Sequence, residues 1–412
     1  MQTLCYSSRR ACNLRCTSPA PSAGGASSHI TMSIYLIFLI ALCNVTCLRA
    51  SRVVVSLFAL QLGATQFVIG LLIAMYSLFP TLLALYAGRL SDRRGTRLPM
   101  LIGSIGLVMG LLLPAAAPGM PALFASAALF GMSYIFYHVA VQNLLGEISG
   151  ETERTRNFSN YTLMISTGGF AGPLFAGFSI DHAGYSATYL YLALVAMIPV
   201  IVQMFARRAT RTTAAVSVKH KSRSQIAGAR ELLAQAPLRR TLITSAAVLT
   251  GTDLFQFYMP IYGHSIGLSA SQIGVVLSMV AVAGFIIRIG MPALVRKAGE
   301  EALLAYSLFL GGATYLLFPF FTDITVLTGI AFMLGLSLGC GQPLSLIMAY
   351  ARSPQGRSGE VLGLRLTINN FTHIAVPLVF GSLGSAFGLA PVFWVNALML
   401  AGGGALNRTG RA

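Results

Sequence analysis

Three charged side chains interrupt long apolar stretches of this chain: Arg49, Arg52 and Asp253. An arginine at the centre of a bilayer costs at least ~2.5 kcal/mol on insertion scales, so it normally faces a cavity or a partner. Arg49 and Arg52 are three residues apart and therefore point to one face of a helix. Because a planar guanidinium binds a carboxylate or phosphate through two hydrogen bonds, this pair predicts a position for an anionic group.

Asp253 has two possible roles beside these arginines. A shift of 204 residues along the chain places Arg49 on Asp253 and Arg52 on Gln256, which predicts one shared site with a net positive charge. Asp253 can then carry a proton. In the alternative interpretation, Asp253 forms a structural ion pair with one arginine, and the other arginine lies near the outer membrane interface.

Weaker candidates for the same site are polar residues in three other apolar stretches. The histidines are included because this side chain titrates near neutral pH. Polar residues in transmembrane helices often only bond neighbouring helices, and this interpretation stays open for each of them. The candidates are Tyr137, His138, Gln342, Asn369 and His373.

The composition of the 412 residues is that of a protein whose main solvent is lipid. Apolar residues make up 55% and charged residues only 9%, whereas a soluble protein carries about 25% charged residues. So few charges cannot cover a water-facing surface. The composition therefore excludes a soluble enzyme, a soluble nucleic-acid-binding protein and a disordered chain.

Twelve apolar stretches of about 20 residues or more are each long enough to cross a ~30 Å hydrocarbon layer as a helix. Helices are predicted because they satisfy their own backbone hydrogen bonds in lipid, and the stretches lack the period-two alternation of a membrane barrel. The stretches cover residues 33–60, 67–87, 98–117, 121–145, 158–180, 185–206, 240–262, 271–292, 302–321, 324–349, 361–386 and 389–406.

Positive charge is confined to alternate gaps between these stretches. Lys and Arg occur in the gaps 88–97, 146–157, 207–239, 293–301 and 350–360, and the other gaps contain neither. Because positively charged loops stay in the cytoplasm, both termini and the central loop are predicted to be cytoplasmic. This bias explains the net charge of +17 without a nucleic-acid partner. Binding of lipid headgroups by the central loop is the alternative.

The chain is predicted to have four parts. Residues 32–206 and 239–412 form two bundles of six stretches, joined by a cytoplasmic central loop at 207–238. Residues 1–31 are expected to be a disordered extension produced by a mis-called start, with a transit peptide as the alternative. The six cysteines show neither a CxxC pair nor a histidine spacing typical of zinc, so we predict no disulfide framework and no metal site.

Glycine and proline landmarks of the two bundles coincide under the same shift of 204 residues. Gly70 falls on Gly274, and Pro173 falls on Pro377. Landmarks from three pairs of stretches share this offset, which predicts parallel repeats related by an axis along the membrane normal. In proteins built this way the substrate binds near the midplane, between the repeats.

The gap after the second stretch, residues 88–97, reads GRLSDRRGTR. Its glycines permit tight turns, its aspartate can interact with a helix N-terminus, and its arginines can pair with acids such as Glu147 or Glu151. Such contacts would latch one conformation and release in another. The sequence resembles the G-x-L-x-D-R-x-G-R-R signature of the major facilitator superfamily, with Thr96 in place of one basic residue. The matching residues are Gly88, Leu90, Asp92, Arg93, Gly95 and Arg97.

The fifth stretch carries a second resemblance to this superfamily. Gly168, Gly172, Pro173 and Gly177 resemble the G-x-x-x-G-P-x-x-G-G motif of its antiporters, with Ala176 in place of one glycine. Small residues allow close helix packing in lipid, and proline kinks a helix. This motif favours export slightly. The fourth stretch lacks the arginine that drug–proton antiporters of the superfamily usually carry, so their usual proton-coupling route is not expected here.

The resemblance implies an all-α integral membrane protein with the twelve-helix fold of the superfamily, whose first and seventh helices line a central cavity. It also implies a secondary active transporter that works as a monomer, without enzymatic activity or a cofactor. The chain contains no nucleotide-binding loop, so ATP is not the expected energy source. A bacterial inner membrane is the expected location.

The expected function is transport of a small organic solute, anionic because of the arginine pair and coupled to protons. The expected partners are this solute, protons and the lipid bilayer, and no nucleic acid. Proton-driven efflux of drugs or metabolites is the alternative within the same class. A membrane sensor with the same fold that does not transport is the alternative from another class.

Overall fold

The computed structural model describes residues 24–149, 153–205, 231–354 and 357–408, and the regular structure in these ranges is helical, without a strand. The first four helices are α1 (Gly24–Gln61), α2 (Gln66–Arg94), α3 (Arg97–Ala116) and α4 (Met120–Ile148). The continuous run Arg154–Phe205 turns at Gly184, where φ is 77°, so we label residues 154–183 as α5 and residues 185–205 as α6. The remaining helices are α7 (Ala236–Ser265), α8 (Ala270–Ala298), α9 (Glu300–Leu317), α10 (Ile324–Leu338), α11 (Gly341–Ala351), α12 (Ser358–Phe387) and α13 (Leu389–Arg408).

Ten spans within these ranges are long and apolar enough to cross a membrane. One of them covers all 50 residues of Arg156–Phe205, more than twice the ~20 residues that one crossing needs. Helix α7, which carries Asp253 and Gln256, is not among the ten. The prediction of an all-α protein with many membrane-spanning helices is confirmed for the described residues.

Two helix boundaries differ from the sequence prediction. Helix α1 begins at Gly24, inside the extension predicted at 1–31, of which residues 1–23 lie outside the described ranges. The predicted stretch 324–349 divides at Gly339 and Cys340 into α10 and α11. The cause is Pro343, because a proline ring clashes with the carbonyl four residues earlier. That carbonyl belongs to Gly339, and it accepts a hydrogen bond from Arg288 Nε at 3.0 Å instead.

Glycines with a left-handed backbone mark the internal repeat. Their φ angles lie between 77° and 87°, which favours glycine because it has no Cβ. In the described ranges they form three pairs, each separated by 204 residues: Gly63 with Gly267, Gly95 with Gly299, and Gly184 with Gly388. Corresponding turns therefore end corresponding helices in the two halves of the chain.

The two halves also contact each other through the repeated landmarks. A Cβ on Gly70 of α2 would lie 2.3 Å from the carbonyl oxygen of Pro377 in α12. A Cβ on Gly274 of α8 would lie 2.5 Å from the carbonyl oxygen of Pro173 in α5. The shift of 204 residues exchanges these two contacts, as expected for two copies facing each other across a two-fold axis. The cavity described below lies next to one of them.

Candidate functional site

A cavity between the two halves of the chain brings together most of the charged residues predicted for the site. It is lined by side chains from four helices, α1, α2, α7 and α12, and measures about 330 Å³ with its open mouth included. The lining residues are Arg52, Ile73, Ser77, Asp253, Gln256, Phe257, His373 and Pro377. The lining side chains therefore come from helices on both sides of the central loop.

The two arginines of α1 are held by Gln256 and Tyr76 and form no ion pair within the described residues, although Asp253 lies close enough to interact electrostatically with both. Arg49 donates a hydrogen bond from Nη1 to Oε1 of Gln256, which joins α1 to α7. The guanidinium carbon of Arg52 lies 5.7 Å from the centre of the Tyr76 ring, in the geometry of a cation–π contact. The Nε atoms of both arginines are buried and have no hydrogen-bond partner among the described residues.

Asp253 is paired with a histidine in this cavity. Nδ1 of His373 in α12 donates a hydrogen bond to Oδ2 of Asp253. Neither Arg49 nor Arg52 forms an ion pair with this carboxylate, so among the described residues the alternative of a structural Arg–Asp pair is not formed. The carboxylate of Asp253 and the imidazole of His373 are therefore in hydrogen-bonding contact at the cavity, on two different helices.

Close packing of α5 on α1 determines the position of Arg49. A Cβ on Gly172 would lie 2.6 Å from Cβ of Arg49 and 2.8 Å from the carbonyl oxygen of Thr46. A Cβ on Gly168, one turn earlier, would lie 2.9 Å from a methyl group of Val45. The glycines of the fifth-stretch motif thus let α5 touch the backbone of α1 beside the site, and Gly177 makes a similar approach to Ala270 of α8.

The sequence GRLSDRRGTR, predicted as a gap, is mostly helical: its first seven residues form the end of α2, Gly95 and Thr96 make the turn, and Arg97 begins α3. Asp92 and Arg93 are exposed, and neither takes part in an ion pair within the described ranges. Arg97 donates to the backbone oxygen of Gln203 at 3.3 Å. The predicted pairing of these arginines with Glu147 is absent here, and Glu151 lies outside the described residues. Within the described residues, the latch contact predicted with Glu147 is therefore not formed.

Four of the predicted polar residues lie away from the lining of this cavity. Tyr137 is fully buried in the apolar cluster of α1, α4 and α5. His138 stacks on Tyr134, and its Nε2 lies 3.1 Å from Nε2 of Gln142. Gln342 accepts a hydrogen bond from a buried arginine of α12, and Asn369 lies on the same helix as His373, one turn closer to the N-terminus of α12.

The structure adds site residues that sequence reasoning missed. Tyr76 holds Arg52, and Ile73 and Ser77 contribute to the wall of the cavity from the same helix, α2. The polar pair Tyr76–Ser77 inside an apolar stretch was a usable signal. Phe257 of α7 is 3% exposed and also lines the cavity.

A family model for the Major Facilitator Superfamily matches residues 37–377 of the chain. The chain belongs to this superfamily. Its members are membrane transporters, so the chain is assigned to transport and not to enzyme catalysis. As a superfamily member with many apolar helices, it is an integral multi-pass membrane protein.

Two relatives in this superfamily are drug-resistance proteins. The quinolone resistance protein NorA of Staphylococcus aureus (strain COL) is 22% identical over 345 residues, which are 83% of this chain and 87% of NorA. The multidrug resistance protein MdtG of Klebsiella pneumoniae (strain 342) is 25% identical over 343 residues, 80% of each chain.

Solved transporters of the superfamily share the fold. A POT family transporter in complex with 5-aminolevulinic acid superposes with a TM-score of 0.76 at 12% identity, covering 92% of this chain and 96% of the other. The nucleoside transporter NupG superposes with a TM-score of 0.72 at 13% identity, covering 92% of this chain and 98% of NupG. At these identities the likeness concerns the fold alone.

Proposed function

We propose that the protein is a proton-coupled secondary transporter of a small organic anion that works by alternating access. The observation that carries this proposal is the pair Arg49 and Arg52: Arg52 lines the cavity, and Arg49 is hydrogen-bonded to the lining residue Gln256. Asp253 is the one acid close enough to interact electrostatically with both among the described residues, so two arginines beside one carboxylate leave a net positive charge. Such a charge is costly in lipid, so a substrate carboxylate or phosphate would stabilise the site.

Twelve crossings with cytoplasmic termini are part of the same proposal. The span Arg156–Phe205 counts as two crossings because it turns at Gly184, and α7 adds another, which brings the ten spans to twelve. The positive gaps of the sequence then face the cytoplasm of a bacterial inner membrane. The proposed functional unit is a monomer, since the cavity is complete within one chain.

In this topology the structure is closed on the outer side. The backbone N–H groups of Ala270 and Ser271 at the start of α8 donate to the carboxylate of Asp181 at 3.1 and 2.8 Å. At the equivalent place in the other half, the N–H of Phe67 donates to the hydroxyl of Ser385 at 3.0 Å. These caps and the close glycine–proline contacts hold the outer ends of the halves together.

Replacing Asp181 by asparagine is expected to increase the fraction of molecules that are open on the outer side. The neutral amide lacks the negative charge by which the carboxylate stabilises the N-terminus of α8. The test is labelling of a cysteine placed at Ser77, in a background without the six native cysteines, by an impermeant maleimide added outside. We expect labelling about ten-fold faster, as a loss of about 1.4 kcal/mol would give. The matched control is Asp323→Asn, which makes the same change at the cap of α10 within one half. Equal labelling rates in the two variants would contradict the assignment of the closed side.

The pair Asp253 and His373 is proposed to carry the coupled proton. Asp253→Asn is expected to abolish concentrative uptake driven by a pH gradient while leaving exchange of substrate across the membrane intact. Both quantities can be measured in proteoliposomes with the radiolabelled anion that a ligand screen identifies. Asp323→Asn again serves as control, because it makes the same chemical change outside the cavity. Concentrative uptake by Asp253→Asn at the wild-type level would refute this role.

Efflux of drugs or metabolites is the second candidate function. The drug-resistance roles of NorA and MdtG favour it, and so does the antiporter-like motif around Gly172. In that case lipophilic cations would bind in the cavity, with Asp253 as their charge partner. Efflux of ethidium from cells that express the protein, abolished by Asp253→Asn, would establish this alternative. A sensor without transport would show neither anion flux nor ethidium flux.

A further inference from the structure

A second arginine position in the membrane region lies outside the cavity. Arg365 of α12 is only 7% exposed and points into the protein. Its Nη2 donates to the side-chain oxygen of Gln342 at 2.7 Å, to the backbone oxygen of Gln342 at 3.2 Å and to the hydroxyl of Ser345 at 2.9 Å. Both partners belong to α11 and are neutral, so they leave the positive charge uncompensated.

Arg365 has unused hydrogen-bonding capacity. Its Nε is buried without a partner, and no Asp or Glu of the described residues forms an ion pair with it. The acids described at this end of the C-terminal half are engaged elsewhere, such as Glu301 with Arg352 and Glu360 with Arg357. A guanidinium offers five N–H donors in a planar fork, and neutral oxygens occupy one nitrogen here.

Arg365 also lies in line with the cavity. Arg365, Asn369 and His373 follow one another at intervals of four residues and therefore lie on the same face of α12. At ~1.5 Å per residue, Arg365 lies roughly 12 Å from the level of His373, toward the N-terminus of α12. Between them, Oδ1 of Asn369 is buried and has no partner among the described residues. A polar row thus leads from the cavity toward the end of α12 that we assign to the cytoplasm.

We propose that Arg365 forms a second anion-binding site on the cytoplasmic side of the cavity, where its unpartnered Nε and the side-chain amide N–H groups of Asn369 donate to a carboxylate, phosphate or sulfate group. The inference rests on the proposed function, because an anionic substrate would pass this site between the cavity and the cytoplasm. The positive charge of Arg365 attracts the anion. Because Arg365 lies outside the cavity, the site would bind the anion at an intermediate position on its path. The same group chemistry also occurs in anionic lipid headgroups.

Equilibrium dialysis with radiolabelled sulfate in neutral detergent tests the number of sites. We expect two sulfate ions per wild-type chain, one in Arg365→Gln, one in Arg52→Gln and none in the double variant. The control Arg239→Gln removes an exposed arginine at the same end of the C-terminal half and should bind two. If Arg365→Gln still binds two sulfate ions, the second site is refuted. If only Arg52→Gln keeps two, the anionic cavity fails and the second site stands.

Two further arms separate the remaining explanations. Asn369→Asp keeps Arg365 in place but adds a carboxylate one turn away, so this variant should also bind one sulfate ion. It keeps the proposal testable if Arg365→Gln does not fold. Retention of two sulfate ions by Asn369→Asp would count against the site. Addition of phosphatidylglycerol to the micelles should leave two sulfate ions bound. If the lipid displaces the sulfate ion that depends on Arg365, the site binds lipid headgroups. The proposal that this site binds a soluble anion on the transport path is then overturned.

Discussion

Replacement of Arg52 by glutamine is expected to abolish transport of the substrate anion. Arg52 lines the cavity, and Tyr76 holds its guanidinium while Nε stays without a partner. Loss of one member of a buried charge pair costs about 2–5 kcal/mol, which corresponds to about 30-fold or more in affinity. The measurement is uptake of the radiolabelled anion into proteoliposomes at matched protein content.

The type of positive charge should matter at this position. Arg52→Lys keeps the charge but lacks the planar fork of donors, so we expect affinity between that of wild type and Arg52→Gln. Arg49→Gln should also lower the affinity for the anion. It should in addition break the hydrogen bond that joins α1 to Gln256 of α7. Arg296→Gln, an exposed arginine at the end of α8, provides the control. Equal uptake by wild type, Arg49→Gln and Arg52→Gln would exclude these arginines from the site.

Substitution of Gly172 by alanine is expected to damage both stability and binding. The added Cβ would meet Cβ of Arg49 at 2.6 Å and the carbonyl oxygen of Thr46 at 2.8 Å, and backbone atoms cannot move aside cheaply. Overpacking of this kind costs about 1–3 kcal/mol. Because α1 has to shift, Arg49 should also lose its alignment with Gln256. Melting temperature and anion binding of the purified variant measure the two effects.

Gly169, on the same helix, provides a matched control for this prediction. A Cβ on Gly169 would find no atom within 4 Å. Alanine favours helix over glycine by up to about 1 kcal/mol, so Gly169→Ala should be neutral or slightly stabilising. If both alanine variants melt at the same temperature as wild type, the packing of α5 on α1 does not have the importance assigned to it.

Much of the fold could be predicted from the sequence because lipid imposes simple rules. Apolar length and the need to satisfy backbone hydrogen bonds located the helices to within a few residues. The break at Gly339 was missed, since the apolar run continues through it and Pro343 acts on a carbonyl four residues away. The helical start at Gly24 was missed because the composition of residues 1–31 resembles that of a disordered segment.

The candidate site could be predicted only in part. Arg49, Arg52 and Asp253 stood out because charges are expensive in lipid, and the internal repeat linked α1 to α7. The pairing of Asp253 with His373 needed the approach of α12, which no local pattern encodes. The role of Tyr76 was missed because an aromatic residue in an apolar helix is usually a packing residue, although the polar pair Tyr76–Ser77 was a usable local signal.

A thermal-shift screen of the purified protein tests the central claim most directly. The panel contains organic anions, sugars, amino acids and lipophilic cations, each measured with wild type and Arg52→Gln. A ligand at a hundred times its Kd stabilises by about 2.7 kcal/mol, which such a screen detects. We predict stabilisation of the wild type by an organic anion and its loss in Arg52→Gln. Stabilisation by lipophilic cations alone, unchanged in Arg52→Gln, would contradict an anion site at the two arginines.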